Sequence, residues 1–221
     1  MGLGGGSLSG FSEDTKVFSY IDDDYLTIGG VFDLSSTPTK TGYTFVGWFY
    51  TADMDTPANP LYHIIENTSI TAKWTVINYT VTYTLNGGDN HQDNPATFDV
   101  TDLPIALEDP GKLGYDFDGW YGNAEFTGDP ITSIASVGNK ALFAKWSVAE
   151  YTITYNLDGG TNHLDNPATF DLNDLPITLG VATKADHDFD GWYGNAEFTG
   201  DPITTIEAVG DKTFYAKFTA Q

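Results

Sequence analysis

Tyr79-Thr80-Val81-Thr82-Tyr83-Thr84-Leu85-Asn86-Gly87-Gly88 reads as one strand with its closing turn, and the architecture of the chain follows from it. Tyr79, Val81 and Tyr83 alternate with three threonines, and a period of two sends successive side chains to opposite faces of a strand. Aromatic and β-branched residues suit a pleated, half-buried surface. Asn-Gly-Gly then supplies turn chemistry and ends the strand.

The same words return 72 residues later, where Tyr151-Thr152-Ile153-Thr154-Tyr155 repeats the strand. Asp93-Asn94-Pro95-Ala96-Thr97-Phe98-Asp99 comes back at 165–171, and the run from Phe117 to Phe126 comes back unchanged from Phe189. A fainter copy precedes them. Phe45-Val46-Gly47-Trp48 stands 72 residues before Phe117-Asp118-Gly119-Trp120, and Ala72-Lys73-Trp74 stands 72 before Ala144-Lys145-Trp146. A fixed period of this length marks tandem structural units. The spacing predicts a Gly-rich tail over 1–10 and repeats over 11–76, 77–148 and 149–221. The first repeat lacks the alternating opening strand: Ser7-Leu8-Ser9-Gly10-Phe11-Ser12-Glu13 stands in its place, so that strand is expected to be missing or replaced.

Within one repeat, Ala96-Thr97-Phe98 reads as a second short strand and Tyr115 to Tyr121 as a third. Pro104, Pro110, Gly111 and Gly114 rule out a long helix between them and leave room for a single turn near Thr101-Asp102-Leu103. Thr132-Ser133-Ile134 reads as a short strand, and Leu142, Ala144 and Trp146 share one face of the last one. The expected class is mostly β, in small modules with little helix. A module of this size leaves much surface exposed, and large rings compensate by burying about 150–250 Å² each. The expected core is Trp48, Trp74, Trp120, Trp146, Trp192 and Phe218. The joints Trp74 to Tyr79 and Trp146 to Tyr151 are short and not Gly- or Ser-rich, which favours a stiff string over a flexible tether.

Composition narrows the function. Thirty-one acidic residues face nine basic ones, for a net charge of −22, and every basic residue is Lys. Without arginine there is no bidentate phosphate fork, and the charge repels nucleic acid and anionic membranes. No nucleic-acid partner is expected. There is no Cys, so disulfides and thiolate metal sites are excluded. No apolar run is long enough for membrane insertion in this segment. The start of the chain lacks the basic and apolar regions of a signal peptide, and no anchor follows Phe218; a removed leader or a longer parent protein is the expectation.

The pattern Tyr-Thr-Val-Thr-Tyr-x-Leu-Asn-Gly-Gly at 79–88, the run Gly114 to Tyr121 and Leu142-Phe143-Ala144-Lys145-Trp146 resemble the Listeria–Bacteroides repeat, the B-repeat type of internalin-like proteins. Thr41-Gly42-Tyr43-Thr44-Phe45-Val46-Gly47-Trp48 carries the likeness into the first copy. The resemblance implies a β-grasp-like, ubiquitin-related module, repeated in tandem on bacterial surface and secreted proteins as a stalk or adhesive spacer. It implies no catalysis.

Candidate sites are few. Asp158, Asn162 and Asp165 are spaced like calcium ligands, and Asp89, Asn90 and Asp93 stand in the neighbouring copy. The stretch lacks a regular calcium-loop pattern and its closing Glu, and turn chemistry is the plainer account. His91 and His163 recur without the converging ligands zinc needs and read as loop histidines closing a turn. Asp116 with Asp118, and Asp188 with Asp190, are paired as glycosidase carboxylates are, but the first copy has Thr44 and Val46 there. Lys73, Lys145 and Lys217 could form an isopeptide staple; a snorkelling lysine beside aspartates is the plainer role. No cofactor is expected. Phe143 and Tyr215 face away from the predicted core and form a candidate interaction patch.

Two functions follow as expectations. One is an extracellular stalk or fibre subunit at the bacterial cell surface, whose partners are other copies of itself or neighbouring surface modules. Its fibre form would polymerise by a strand donated into the incomplete first repeat. The other is an adhesin binding a host protein or glycan.

Overall fold

The computed structural model describes residues 15–18, 37–50, 55, 57 and 68–221. The Gly-rich tail, the stretch Ser7 to Glu13 and His63 lie outside the described residues. The chain divides into two compact units, one drawn from Met1–Val81, Pro95–Ile105 and Ser133–Lys140, the other from Thr82–Asn94, Ala106–Thr132 and Ala141–Gln221.

The class is mostly β with almost no helix, and the third copy displays the architecture in full. Its opening strand, Tyr151–Asn156, pairs antiparallel with Thr169–Phe170 on one side. On the other side it runs parallel to the last strand, Lys212–Ala220, with Ile153 opposite Lys212 and Asn156 opposite Tyr215. The last strand also pairs antiparallel with His187–Tyr193. The order is therefore second, opening, last, third, with a two-stranded ribbon of Ile177–Thr178 and Thr205–Ile206 beside it. The only helical element of this copy is a 3-10 turn, Leu172–Asp174, where Asp171 and Asp174 form a reciprocal capping box. The second copy repeats the strand order with Thr97–Phe98, Tyr79–Thr84, Lys140–Val148 and Tyr115–Tyr121, and its 3-10 turn is Val100–Asp102.

The third copy's core forms where the inward residues of these strands meet. Ile153, Phe170, Leu179, Ala182, Trp192, Ile206, Phe214 and Ala216 are buried together, with Tyr155, Phe189 and Phe218 packed against them. The rings meet edge-on: Phe189 lies 5.4 Å from Trp192 and 5.6 Å from Phe218. Trp48, Trp120 and Trp192 are buried, whereas Trp74, Trp146 and Phe218 are half-buried. The half-buried ring at the end of the last strand packs on the Gly-Gly turn. A Cβ on Gly88 would lie 2.6 Å from Trp146, and one on Gly160 would lie 2.8 Å from Phe218.

In the first copy the third-strand counterpart, Tyr43–Tyr50, pairs antiparallel with the last strand, Thr68–Val76. The strand on the other edge is Thr15–Phe18, and it runs antiparallel, with Thr15 opposite Thr71 and Phe18 opposite Thr68. Those four positions correspond to the ones that the opening strand occupies in the third copy. The strand expected to be missing or replaced thus has a substitute, of reversed direction.

Candidate functional site

Each calcium candidate is engaged by local partners. Asp158 accepts a hydrogen bond from Lys184 Nζ at 2.9 Å. That bond, with the lysine's charge, holds its carboxyl below the usual range. The Asn162 side-chain oxygen accepts from Asn166 Nδ2 at 2.7 Å. The Asp165 amide donates to His163 Nδ1 at 3.2 Å, which closes a turn, and His91 does the same for Asp93 at 3.3 Å. Among the described residues, no three His, Cys, Asp or Glu side chains are grouped to hold a metal ion.

The paired carboxylates are exposed on the third strand of the second and third copies, and three of the four are engaged locally. Asp118 accepts from Ser147 Oγ at 2.9 Å, Asp190 accepts from Thr219, and Asp188 accepts from Gln221 Nε2 at 2.7 Å. Lys145 and Lys217 each lie 5.5 Å from a ring centroid, over Tyr121 and Tyr193, and Lys73 lies 4.8 Å over Phe49 and 3.8 Å from Asp55. Phe143 and Tyr215 are half-buried and stand across the strand pair from Tyr121 and Tyr193. The most exposed apolar side chains described are Leu164, at 99%, and Leu113, at 80%.

Three features lie outside the sites expected from the sequence; the 72-residue recurrence of a lysine column is the one that the sequence itself displays. Asn94 and Asn166 are buried polar pegs. Asn166 Oδ1 accepts from the Gly180 amide at 2.6 Å, and its Nδ2 donates to the Gly180 carbonyl at 3.1 Å. Asn94 grips Glu108 in the same way. A second lysine column, Lys40, Lys112 and Lys184, also recurs at the 72-residue period; Lys112 sits 3.9 Å over Tyr115 and donates to the Asn86 carbonyl.

The third feature is the junction between copies. The turn before the third strand holds Gly42 in the first copy and Gly114 in the second, both buried and both at positive φ, 81° and 79°. A Cβ on Gly42 would lie 2.5 Å from Val100 Cβ, and one on Gly114 would lie 3.2 Å from Leu172 Cβ. Val100 and Leu172 are the same position of the following copy, the first residue of its 3-10 turn. The connecting chain is tied to the same glycine: Ile77 N–H donates to the Gly42 carbonyl at 2.9 Å and Ala149 N–H to the Gly114 carbonyl at 3.1 Å.

This geometry defines a class: a tandem array of small, aromatic-cored β modules in which neighbours touch at a repeated position. The Listeria-Bacteroides repeat domain matches residues 12–73, 79–145 and 151–217, and the chain belongs to that family. A protein of Evansella cellulosilytica named "Putative Gly-rich membrane protein" is 31% identical over 82% of this chain and 21% of its own length. A second protein of that organism, named "Putative membrane protein", is 33% identical over 71% of this chain and 23% of its own. Internalin H of Listeria monocytogenes is 32% identical over 51% of this chain and 20% of its own. The chain thus spans about a fifth of the length of these relatives. No solved structure matches it. Among the described residues, no helix is long and apolar enough to cross a membrane.

Proposed function

We propose that the chain is a non-enzymatic stalk segment of a bacterial cell-surface protein, built to hold a distance and to carry tension. One observation carries the reading. In the third copy the opening and last strands are neighbours and run parallel. Tension drawn from the two ends of that copy pulls the opening strand backward and the last strand forward. The bonds between Ile153–Asn156 and Lys212–Tyr215 are then loaded together in shear. The internalin and membrane-protein names of the relatives support a surface location. The strand order, with opening and last strands central and parallel, supports a β-grasp-like module in which a 3-10 turn stands where a helix would cross.

The test displays the full chain between a surface anchor and a fluorescent tip. A stalk holds the tip at a fixed height, and replacing residues 77–221 by a Gly/Ser linker of equal length lowers and broadens that height. An unchanged height distribution counts against the stalk.

The fibre form requires an incoming strand to displace Thr15–Phe18 from the last strand of the first copy. Its signature is a mass in light scattering that rises with protein concentration. The adhesin reading has the exposed Leu164 at a loop tip and the Phe143 and Tyr215 positions in its favour. Specific binding on a glycan or host-protein array, abolished by Leu164→Asp, would favour it over the stalk.

A further inference from the structure

We infer that the turn ahead of the third strand is a module seat specific for another copy of this repeat, and that Asp186 closes the seat on the third copy. The inference deepens the stalk reading and rests on it for the seat's use, though not for its geometry.

The same turn occurs three times. Tyr43 N–H donates to the Lys40 carbonyl at 3.0 Å, Tyr115 to Lys112 at 3.1 Å, and His187 to Lys184 at 3.2 Å. The bond that the following chain makes to it is also equivalent: Gln221 N–H donates to the Asp186 carbonyl at 3.1 Å, as Ile77 and Ala149 do to the two glycines. Asp186 adopts φ 57°, so the backbone of the turn is kept. The difference lies in the residue itself. Gly42 and Gly114 present no side chain to the copy that follows them, whereas Asp186 carries a carboxylate at the same position.

The glycines have two separate reasons to be glycine. Positive φ favours it, yet Asp186 shows that an aspartate makes the same turn; Asn and Asp tolerate this region better than other residues. The second reason is therefore the decisive one. The apolar residue of the next copy comes so close that a Cβ clashes with Val100, and one facing Leu172 forces it to move. A carboxylate at that position would place a charge against an aliphatic side chain, where it loses water and finds no partner. A further copy with Val or Leu at the start of its 3-10 turn cannot seat on Asp186 as its predecessors seat on glycine. In tandem proteins stability is shared between neighbours through such contacts, and a polar outer face marks a module that receives none.

The test uses the full chain and amide hydrogen exchange read by NMR. Gly114→Asp keeps the turn, as the third copy does, but blocks the seat. The Ala149 amide is expected to exchange about tenfold faster or more, while amides inside Tyr115–Tyr121 keep their protection. Leu172→Ser reaches the seat from the other side without touching the turn, and the same rise at Ala149 is expected. The complementary gain uses the full chain extended after Gln221 by a second copy of residues 150–221. Spin-label distances between third and appended copies should be broad with Asp186 and should sharpen with Asp186→Gly. Unchanged Ala149 exchange in both Gly114→Asp and Leu172→Ser overturns the seat. Equally sharp distances with Asp186 and with Gly overturn its closure. A chain that fails as a stalk while these variants behave as stated loses that function and keeps the seat.

Discussion

Single residues set two sharp expectations. The Tyr155 hydroxyl is enclosed by the packing around Trp192 and has no hydrogen-bond partner among the described residues, and burial pushes its pKa up to about 12. The unfolded chain releases this proton near pH 10, the folded chain only near 12. This titration therefore leaves stability untouched below pH 10 and lowers it as the pH rises from 10 through 12, where the unfolded chain ionises first. Tyr155→Phe should stabilise the third copy by about 1 kcal/mol at neutral pH and flatten the fall between pH 10 and 12, measured by urea titration across pH. Asn166 is the opposite case, a buried polar side chain whose amide is bonded at both its nitrogen and its oxygen. Asn166→Ala leaves the Gly180 N–H unpaired, while the Gly180 carbonyl keeps its bond from Trp192 Nε1, and should cost about 1–3 kcal/mol, seen as a shifted urea midpoint of the third copy. Neither feature was legible beforehand. Asp-Asn-Pro recurs and reads as turn chemistry, and only the fold brings residue 180 to Asn166, 14 positions away.

Among the elements, the strands were legible because their signals are local. Alternation placed Tyr79–Thr84 and Tyr115–Tyr121, and the prolines and glycines limited the helix to one 3-10 turn. The bulge was not legible. Between Phe189 and Gly191 the register against the last strand slips by one, and Gly191 takes φ 131° with room for no Cβ, 2.7 Å from Pro202. Gly191→Ala should destabilise the third copy by about 2–3 kcal/mol in urea unfolding, whereas Gly200→Ala, with open space around it, suffers only the strain of its positive φ. The first copy's reversed edge strand was half legible. The missing alternation predicted a replacement, but strand direction depends on pairing that no local pattern records. It matters mechanically. Thr15 lies beside Thr71, so tension on the first copy peels that pair bond by bond instead of shearing it.

Across the whole molecule, the 72-residue period revealed the repetition, and the absence of arginine and cysteine removed several classes of function. The seat between copies was hidden, since its two halves lie 58 residues apart (Gly42 to Val100, Gly114 to Leu172) in different repeats. If these modules carry tension, pulling single full-length chains from both ends will show it most directly. The first copy should yield early, at low force. The third copy should yield later, in one abrupt step that frees roughly 240–260 Å of contour, the extended length of about 72 residues. A smooth extension without steps, or a third copy that yields as easily as the first, would contradict a stalk built to bear load.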